Sequence, residues 1–318
     1  MKVLSSLIDI QQDPNSVVTV GTFDGVHQAH KQILTELVHC ARGRKGRSVV
    51  VTFHPHPRTL VGKNPGTVRL LTTLEERIAL LREFDIDLLV VVPFTYEFSR
   101  LTPRQFYTEY VVGRIGVTEV IEGYDHSFGR DREAGITELQ AMGREFGFSV
   151  RVIGPVSIDG EIVGSSKIRK LIETGNIRTA NLLLGRTYSA EGLVIKGEGR
   201  GRTIGFPTAN IEIIGNRKMI PARGVYASSL VMDGEEYPGM LNIGTRPTFS
   251  DTTEATIEIH LFSFDRDIYQ KRVQIRFHDR IRDEQRFADP GALVEQLQRD
   301  AERCTTFFEK EFHRGKYT

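Results

Sequence analysis

The sequence predicts a two-domain chain: a parallel sheet with helices on both faces, then a small antiparallel barrel or sandwich with a closing helix. Three observations predict it. β-branched apolar runs at 17–20, 48–53 and 87–92 alternate with helix-start signals, the texture of repeated βα units. Between 187 and about 279 that texture gives way to short alternating segments separated by glycine turns. A length of 318 residues suits about two cores. The boundary is expected at Gly185-Arg186, giving domains 1–185 and 186–318.

In the first domain, 17–20 reads as a buried strand and 48–53 as a second. Thr73 and Glu76 form a capping-box pattern ahead of a helix whose apolar residues run through Ile78, Leu80, Leu81 and Phe84. Residues 87–92 suit a strand covered on both faces. Thr102-Pro103 opens another helix, with proline at the first helical position. Strand 117–122, helix 137–146 and strand 149–153 follow, and then helices 165–174 and 177–184. In the second domain, strands are expected at 193–195, 225–232, 257–262 and 273–277, with an Asp233-Gly234 turn. A helix from Pro290 carries Leu293, Leu297, Ala301 and Phe308 on one packing face.

The strongest local signal follows the first strand: Gly21-Thr22-Phe23-Asp24-Gly25-Val26-His27-Gln28-Ala29-His30. Gly21 and Gly25 permit a sharp bend and close approach to a ligand. His27 and His30, three apart, share one face of the first helical turn, where unpaired N–H groups and the helix dipole favour an anion. Zinc held by these histidines with His54 and His56 is the rival reading, and no cysteine or carboxylate cluster accompanies it. Incidental helix-start histidines are the plain one.

Three further segments sit past strands or at a helix start. Thr52-Phe53-His54-Pro55-His56-Pro57 stiffens two imidazoles at a strand end, or is only a rigid loop. Gly123-Tyr124-Asp125-His126-Ser127-Phe128-Gly129 suits the wall of a planar ring, or is an ordinary βα loop. Ser165-Ser166-Lys167-Ile168-Arg169 opens a helix; capping explains its serines but not Lys167 and Arg169. Together the four segments suggest transfer at the α-phosphate of a nucleoside triphosphate. The histidines would stabilise charge on phosphorus, and Lys167 and Arg169 would hold pyrophosphate. An attacking phosphate monoester is already anionic, so catalysis reduces to positioning and electrostatics.

In the second domain, Gly197, Gly199, Gly201 and Gly205 make a loop around Arg202 that is able to wrap phosphates. It lacks a P-loop ending and does not open a helix. Pro207-Thr208-Ala209-Asn210 then offers a hydroxyl and an amide oxygen, hard ligands suited to Mg²⁺ that also holds triphosphate oxygens. Glu258 lies between Ile257 and Ile259, so it faces away from their apolar side, toward solvent or a cleft. In a cleft it would accept the proton of an attacking alcohol.

Composition excludes other classes. A formal charge of +1 gives no basic surplus for nucleic acid or an anionic membrane. Cys40 and Cys304 are the two cysteines and suggest free thiols in a reducing compartment, and no stretch reaches the length of a membrane span. A cytoplasmic location is expected.

These motifs, in this order, resemble the bacterial bifunctional riboflavin kinase/FMN adenylyltransferase family, also called FAD synthetase, over essentially the whole chain. Gly21 to His30 matches its nucleotidyltransferase signature, with Ala29 where glycine is usual. Gly164-Ser165-Ser166-Lys167-Ile168-Arg169 matches its Ser-Ser-Thr-x-Ile-Arg pattern, and His126 replaces a common aromatic. Gly205-Phe206-Pro207-Thr208-Ala209-Asn210 is its intact kinase hallmark, and Glu258 aligns with its catalytic base. Asn242 to Phe249 and Arg282-Asp283-Glu284-Gln285-Arg286-Phe287 also match, while Gln270 stands in a Tyr-Gly-Lys position. The resemblance implies a Rossmann-like nucleotidyltransferase domain followed by a Greek-key barrel kinase domain. It implies ATP at Gly21, Phe23, Gly25, Ser165, Ser166, Lys167, Arg169, Gly197, Gly199, Arg202 and Gly205. It further implies flavin at His54, His56, Asp125, Phe128, Arg282 and Glu284, and Mg²⁺ at Thr208 and Asn210. The partners expected are small molecules: ATP, riboflavin and FMN. Two rivals stay open: a nucleotidyltransferase for another phosphomonoester, and a non-catalytic flavin carrier.

Overall fold

A computed structural model describes residues 1–61, 65–125, 135–197, 199–245 and 255–313, which fall into two compact units, 1–165 and 166–318. Phe128 and His126, and residues 246–249 of the second-domain motifs, lie outside the described residues.

The first unit is built on a six-stranded parallel sheet. Its strands in chain order are β1 (Lys2–Leu4), β2 (Ser16–Val20), β3 (Arg47–His54), β4 (Leu88–Pro93), β5 (Glu119–Gly123) and β6 (Ser149–Ile153). In space they run β1-β4-β3-β2-β5-β6. The chain therefore steps from β2 to β3 and β4 on one side, then back to β5 and β6 on the other. β2 and β5 flank the switch point, where sheets of this kind bind ligands. The β2 residues are all buried, which suits the β-branched run from Val17 to Val20. Alternate residues supply two cores. Val18, Val20, Val49 and Val51 pack on one face with Tyr107, Ile115 and Leu139, and Val17, Val50, Leu89 and Ile121 pack on the other with Leu34 and Leu37.

The helices of this unit are α1 (Gln28–Gly43), α2 (Arg58–Val61), α3 (Leu74–Leu81), α4 (Pro103–Phe106), which continues as a π-helical stretch over Tyr107–Ile115, and α5 (Ile136–Phe146). Thr73 caps α3 reciprocally with Glu76, as the sequence predicts. The helix ends at Leu81 rather than Phe84: the next three residues tighten into a 3₁₀ turn, and Asp85 takes a left-handed φ of 51°. The hairpin β7 (Ser157–Ile158) and β8 (Glu161–Ile162) precedes α6 (Ser165–Glu173) and α7 (Ile177–Leu184).

The second unit resolves barrel against sandwich. β9 (Tyr188–Ile195), β10 (Ala209–Ile213), β11 (Gly224–Met232), β12 (Glu235–Thr245), β13 (Ala255–Leu261) and β14 (Arg272–Arg282) close in the order β10-β13-β12-β11-β14-β9. Tyr188, Tyr226, Leu230, Leu241, Ile275 and Phe277 are buried with no exposed surface. Asp233 and Gly234 both take positive φ, the geometry of the expected tight hairpin turn. α8 (Arg200–Thr203) is a single turn, and α9 (Pro290–His313) closes the unit. On α9, Cys304 and Phe308 pack against Val225, Ala227 and Met240. Asp300, fully buried, accepts from Arg282 Nε at 2.7 Å and from Gln296 Nε2 at 2.9 Å. Both cysteines are free and buried. Burial pushes the Cys40 thiol up to about 11 and the Cys304 thiol up to about 12, so both are protonated and inert at neutral pH.

Candidate active sites

At the carboxyl end of β2 the chain makes a turn that is left-handed at three positions: Phe23 (φ 48°), Gly25 (φ 89°) and Val26 (φ 38°). A β-branched residue rarely adopts such a backbone, so the surroundings must hold it there. They do so through hydrogen bonds. The buried Asp24 carboxylate accepts from Leu71 N at 3.0 Å, Thr72 N at 2.9 Å and Thr72 Oγ1 at 3.0 Å. Thr72 Oγ1 in turn accepts from Gly25 N at 3.1 Å. Ser165 Oγ donates to Asp24 O at 2.9 Å, and Thr52 Oγ1 to Thr22 O at 3.1 Å. Behind Thr52 the buried Arg77 donates from Nη1 to Thr52 Oγ1 and to Phe53 O, both at 3.3 Å. Glycine is required at 25 on two counts, since a Cβ there would lie 2.7 Å from Leu71 Cδ1.

The turn delivers His27 to the start of α1. It is the cap of that helix rather than a member of its first turn: its Nδ1 accepts from His30 N at 3.4 Å. The two imidazoles stack, with centroids 3.6 Å apart and planes 14° from parallel, and Phe23 leans on His30 at 5.1 Å. Gly21, Phe23, Gly25, His27, His30 and Ser165 are thus gathered around one helix N-terminus, whose free N–H groups and dipole favour an anion.

The remaining predicted residues divide. His54 ends β3, next to β2 through the Val20–Val51 register, and burial together with Arg77 holds its imidazole below its ordinary pKa. His56 is buried, and its Nδ1 accepts from Arg58 N at 3.1 Å, so it starts α2. Asp125 is exposed just past β5. Ser166, Lys167 and Arg169 lie on α6, in the part of that helix that belongs to the second unit.

Beneath the turn lies a group with no counterpart in the sequence reading. The β2–β5 ladder pairs Val17 with Glu119 and Val18 with Val120, and there it stops. The amide of Val20 instead donates to the buried Glu122 Oε1 at 2.7 Å. Burial raises the Glu122 pKa well above its usual 4.5, against the lowering effect of that hydrogen bond. The folded chain therefore keeps a proton that the unfolded chain releases, and stability falls as pH rises from about 4.5 through the raised value. Glu122→Gln removes this ionisation and keeps an oxygen for Val20. The melting temperature of the variant is expected to exceed that of the parent by a margin that widens with rising pH and shrinks toward pH 4.5. Thermal melts across that range check it, and a margin independent of pH would refute it.

In the second unit, Glu258 and Asn210 sit opposite each other in the β10–β13 ladder, and Glu258 faces Asn242 on β12. Ile257 and Ile259 are buried, so Glu258 projects from the outer face of the barrel, as the alternation predicts. Thr208 Oγ1 donates to Glu258 Oε2 at 3.3 Å. The backbone of Gly197 passes so close that a Cβ there would be 2.0 Å from Asn210 Nδ2. Gly199 and Gly205 take φ of 70° and 82°, with Arg202 between them on α8. His260, two residues past Glu258 on the same face, hydrogen-bonds Pro207 O through Nδ1 at 2.8 Å and meets Phe206 edge-on at 5.2 Å. A carbonyl only accepts, so Nδ1 carries the proton. Glu284 Oε1 comes within 2.8 Å of where a Cβ on Gly244 would sit, beside Asn242. Arg282 is turned to Asp300 and, through Nη1, to Asp283 O at 2.9 Å. Thr208, Asn210 and Glu258 supply hard oxygen donors, the chemistry that Mg²⁺ prefers. Among the described residues no cluster of three or more His, Cys, Asp or Glu has the form of a metal site.

Comparison with known proteins places each unit's sequence in a family. The FAD synthetase family matches residues 9–167, and the riboflavin kinase family matches residues 184–308. Bifunctional riboflavin kinase/FMN adenylyltransferases from Listeria monocytogenes and Escherichia coli K12 are 36% and 34% identical to the chain. The first alignment covers 94% of this chain and 94% of the relative, the second 97% and 98%. The chain belongs to the bifunctional riboflavin kinase/FMN adenylyltransferase family. A crystal structure described as a macrolide-efflux protein from Streptococcus pneumoniae also superposes, with a TM-score of 0.85 at 31% identity, over 94% of this chain and 96% of that one. No helix among the described residues is long and apolar enough to cross a membrane.

Within this family frame, sequence reasoning missed Thr72, Arg77, Glu122, His260 and Asp300. Glu122 left a visible trace, an acid directly after the apolar pair Val120-Ile121 in an expected strand. Thr72 left none, because its neighbour Thr73 already satisfied the capping pattern.

Proposed function

We propose that this chain phosphorylates riboflavin to FMN with ATP and then transfers AMP from a second ATP to FMN, giving FAD and pyrophosphate. The kinase step belongs to the barrel. Glu258 accepts the proton of the riboflavin 5′-hydroxyl, the freed oxygen bonds to the γ-phosphorus of ATP, and the bond to the β–γ bridging oxygen breaks to release ADP. Thr208 and Asn210 would hold the Mg²⁺ that accompanies ATP, which would neutralise phosphate charge. Gly197, Gly199, Arg202 and Gly205 line the triphosphate path, with Arg282 and Glu284 toward the flavin. Asp300 aims Arg282.

The adenylyl step belongs to the first domain. An FMN phosphate oxygen bonds to the α-phosphorus of ATP, and the α–β bridging bond breaks. His27, His30 and the start of α1 stabilise the charge gathered on that phosphorus. Lys167 and Arg169, with Ser165 and Ser166, hold the departing pyrophosphate, while His54, His56, Asp125 and Phe128 serve the FMN. The two domains are assigned as 1–185 and 186–318, and two buried free thiols fit a reducing cytoplasm.

The observation that carries the reading is the base-bearing Glu258 set across from Asn210 and hydrogen-bonded to Thr208, in the same chain as a helix capped by stacked histidines. Incubation with riboflavin, ATP and Mg²⁺, followed by chromatography, is expected to show FMN first and FAD later. Flavin binding without ATP consumption would overturn the reading in favour of a carrier.

A further inference from the structure

We propose that Thr72 is a positioning residue for adenylyl transfer, acting through Asp24 and Gly25 on the turn that carries His27 and His30. The proposal rests on the assignment of that turn to FMN adenylylation. Its ground is the double use of one hydroxyl. Thr72 Oγ1 donates to Asp24 Oδ1 at 3.0 Å and accepts from Gly25 N at 3.1 Å, so it stands between the carboxylate and the next amide of the turn. Thr72 N and Leu71 N donate to the same carboxylate, at 2.9 and 3.0 Å. All of these groups are buried, Thr72 to 1% and Asp24 to 0% exposure, so water cannot replace a lost partner.

The turn needs such a brace. Phe23 and Val26, on either side of Asp24 and Gly25, hold left-handed φ values of 48° and 38° without being glycine. Relaxation of either toward ordinary backbone would swing the chain that enters α1. His27 is the cap at that entry, one residue past Val26, and its ring sets the position of the His30 ring by stacking at 3.6 Å. Leu71 and Thr72 themselves are anchored from the other side, because Thr73 begins the reciprocal cap of α3. The start of α3 is therefore the fixed post, Thr72 the tie, and the histidine pair the thing held. Thr72 touches no reacting atom in this scheme; it acts through the backbone of the turn.

The test separates hydroxyl from methyl in the full chain. Thr72→Val keeps the shape and loses both hydrogen bonds, whereas Thr72→Ser keeps the hydroxyl and loses only packing. FAD formation from FMN and ATP is expected to fall about 10- to 100-fold in Thr72→Val, in kcat more than in the KM for ATP. Thr72→Ser is expected to stay within about threefold of the parent, on the same footing. Riboflavin phosphorylation, measured in the same preparations, reports on the second unit and should be unchanged in both, and circular dichroism at the assay temperature should show the first unit folded in both. Parent-like adenylylation by Thr72→Val overturns the proposal. So does an equal loss in Thr72→Ser, which would mark the site as packing alone. If the parent itself makes no FAD, the assignment of the turn fails, and that outcome is distinct from either of these.

Discussion

Replacing His27 and His30 together by alanine is expected to abolish FAD formation from FMN and ATP while riboflavin phosphorylation continues at the parent rate. The expectation follows from what the pair does electrostatically. On the proposed assignment, two stacked rings at the start of α1 would face the place where charge builds on the α-phosphorus, and no base is needed because the attacking phosphate is already ionised. Loss of one preorganised charge-stabilising donor typically costs about 10²–10³ in rate, so loss of the pair should exceed about 10³. One complication is that His27 also caps α1, and loss of a cap costs about 1 kcal/mol. His27→Asn keeps a capping acceptor and removes the imidazole, so it should lose adenylylation with little effect on melting. Substantial FAD synthesis by the double variant would sink the assignment.

Glu258→Gln should produce the mirror image. The amide keeps the size of the side chain and can still accept the Thr208 hydroxyl, but it cannot take a proton from the riboflavin hydroxyl. Phosphorylation of riboflavin is expected to drop by about 10²–10⁴, the range of general-base contributions. FMN supplied to the variant should still be converted to FAD at the parent rate. If the variant phosphorylates riboflavin normally, Glu258 is not the base, and its place opposite Asn210 would serve the barrel alone.

Most of the architecture was legible because it depends on pattern. Parallel strands buried on both faces are rich in β-branched and apolar residues, so β2, β3 and β4 announced themselves, and the alternation around Glu258 gave its face correctly. The candidate sites stood out where an uncommon residue type recurs at close spacing, as in the histidine pair. What stayed hidden depends on partners distant in sequence. Asp24 meets Leu71 and Thr72 across 47 and 48 positions, and Arg282 meets Asp300 across 18. No local rule marks a threonine as the tie of a strained turn. The cap role of His27 was misplaced by one residue, because a histidine cap is read as a helix member when the signal sought is Ser, Thr, Asp or Asn. Barrel and sandwich share strand length and turn chemistry, and closure becomes visible only when β9 is seen to pair with β10.

The contrast between closed barrel and open sheet bears on self-association. A barrel has no outermost strand to offer another chain, whereas the sheet of the first unit ends at β1 and β6 with ladders paired on one side only. Its two borders are guarded differently. β1 is three residues long, too short to template much. β6 carries Arg151, tethered to Glu119 at 3.0 Å and to Glu36 at 2.6 Å. Both partners lie inward of β6, Glu119 on β5 and Glu36 on α1, so the charged side chain is held on the face of the border strand. Edge pairing in the native state is thus made less favourable at one border by brevity and at the other by a charged side chain.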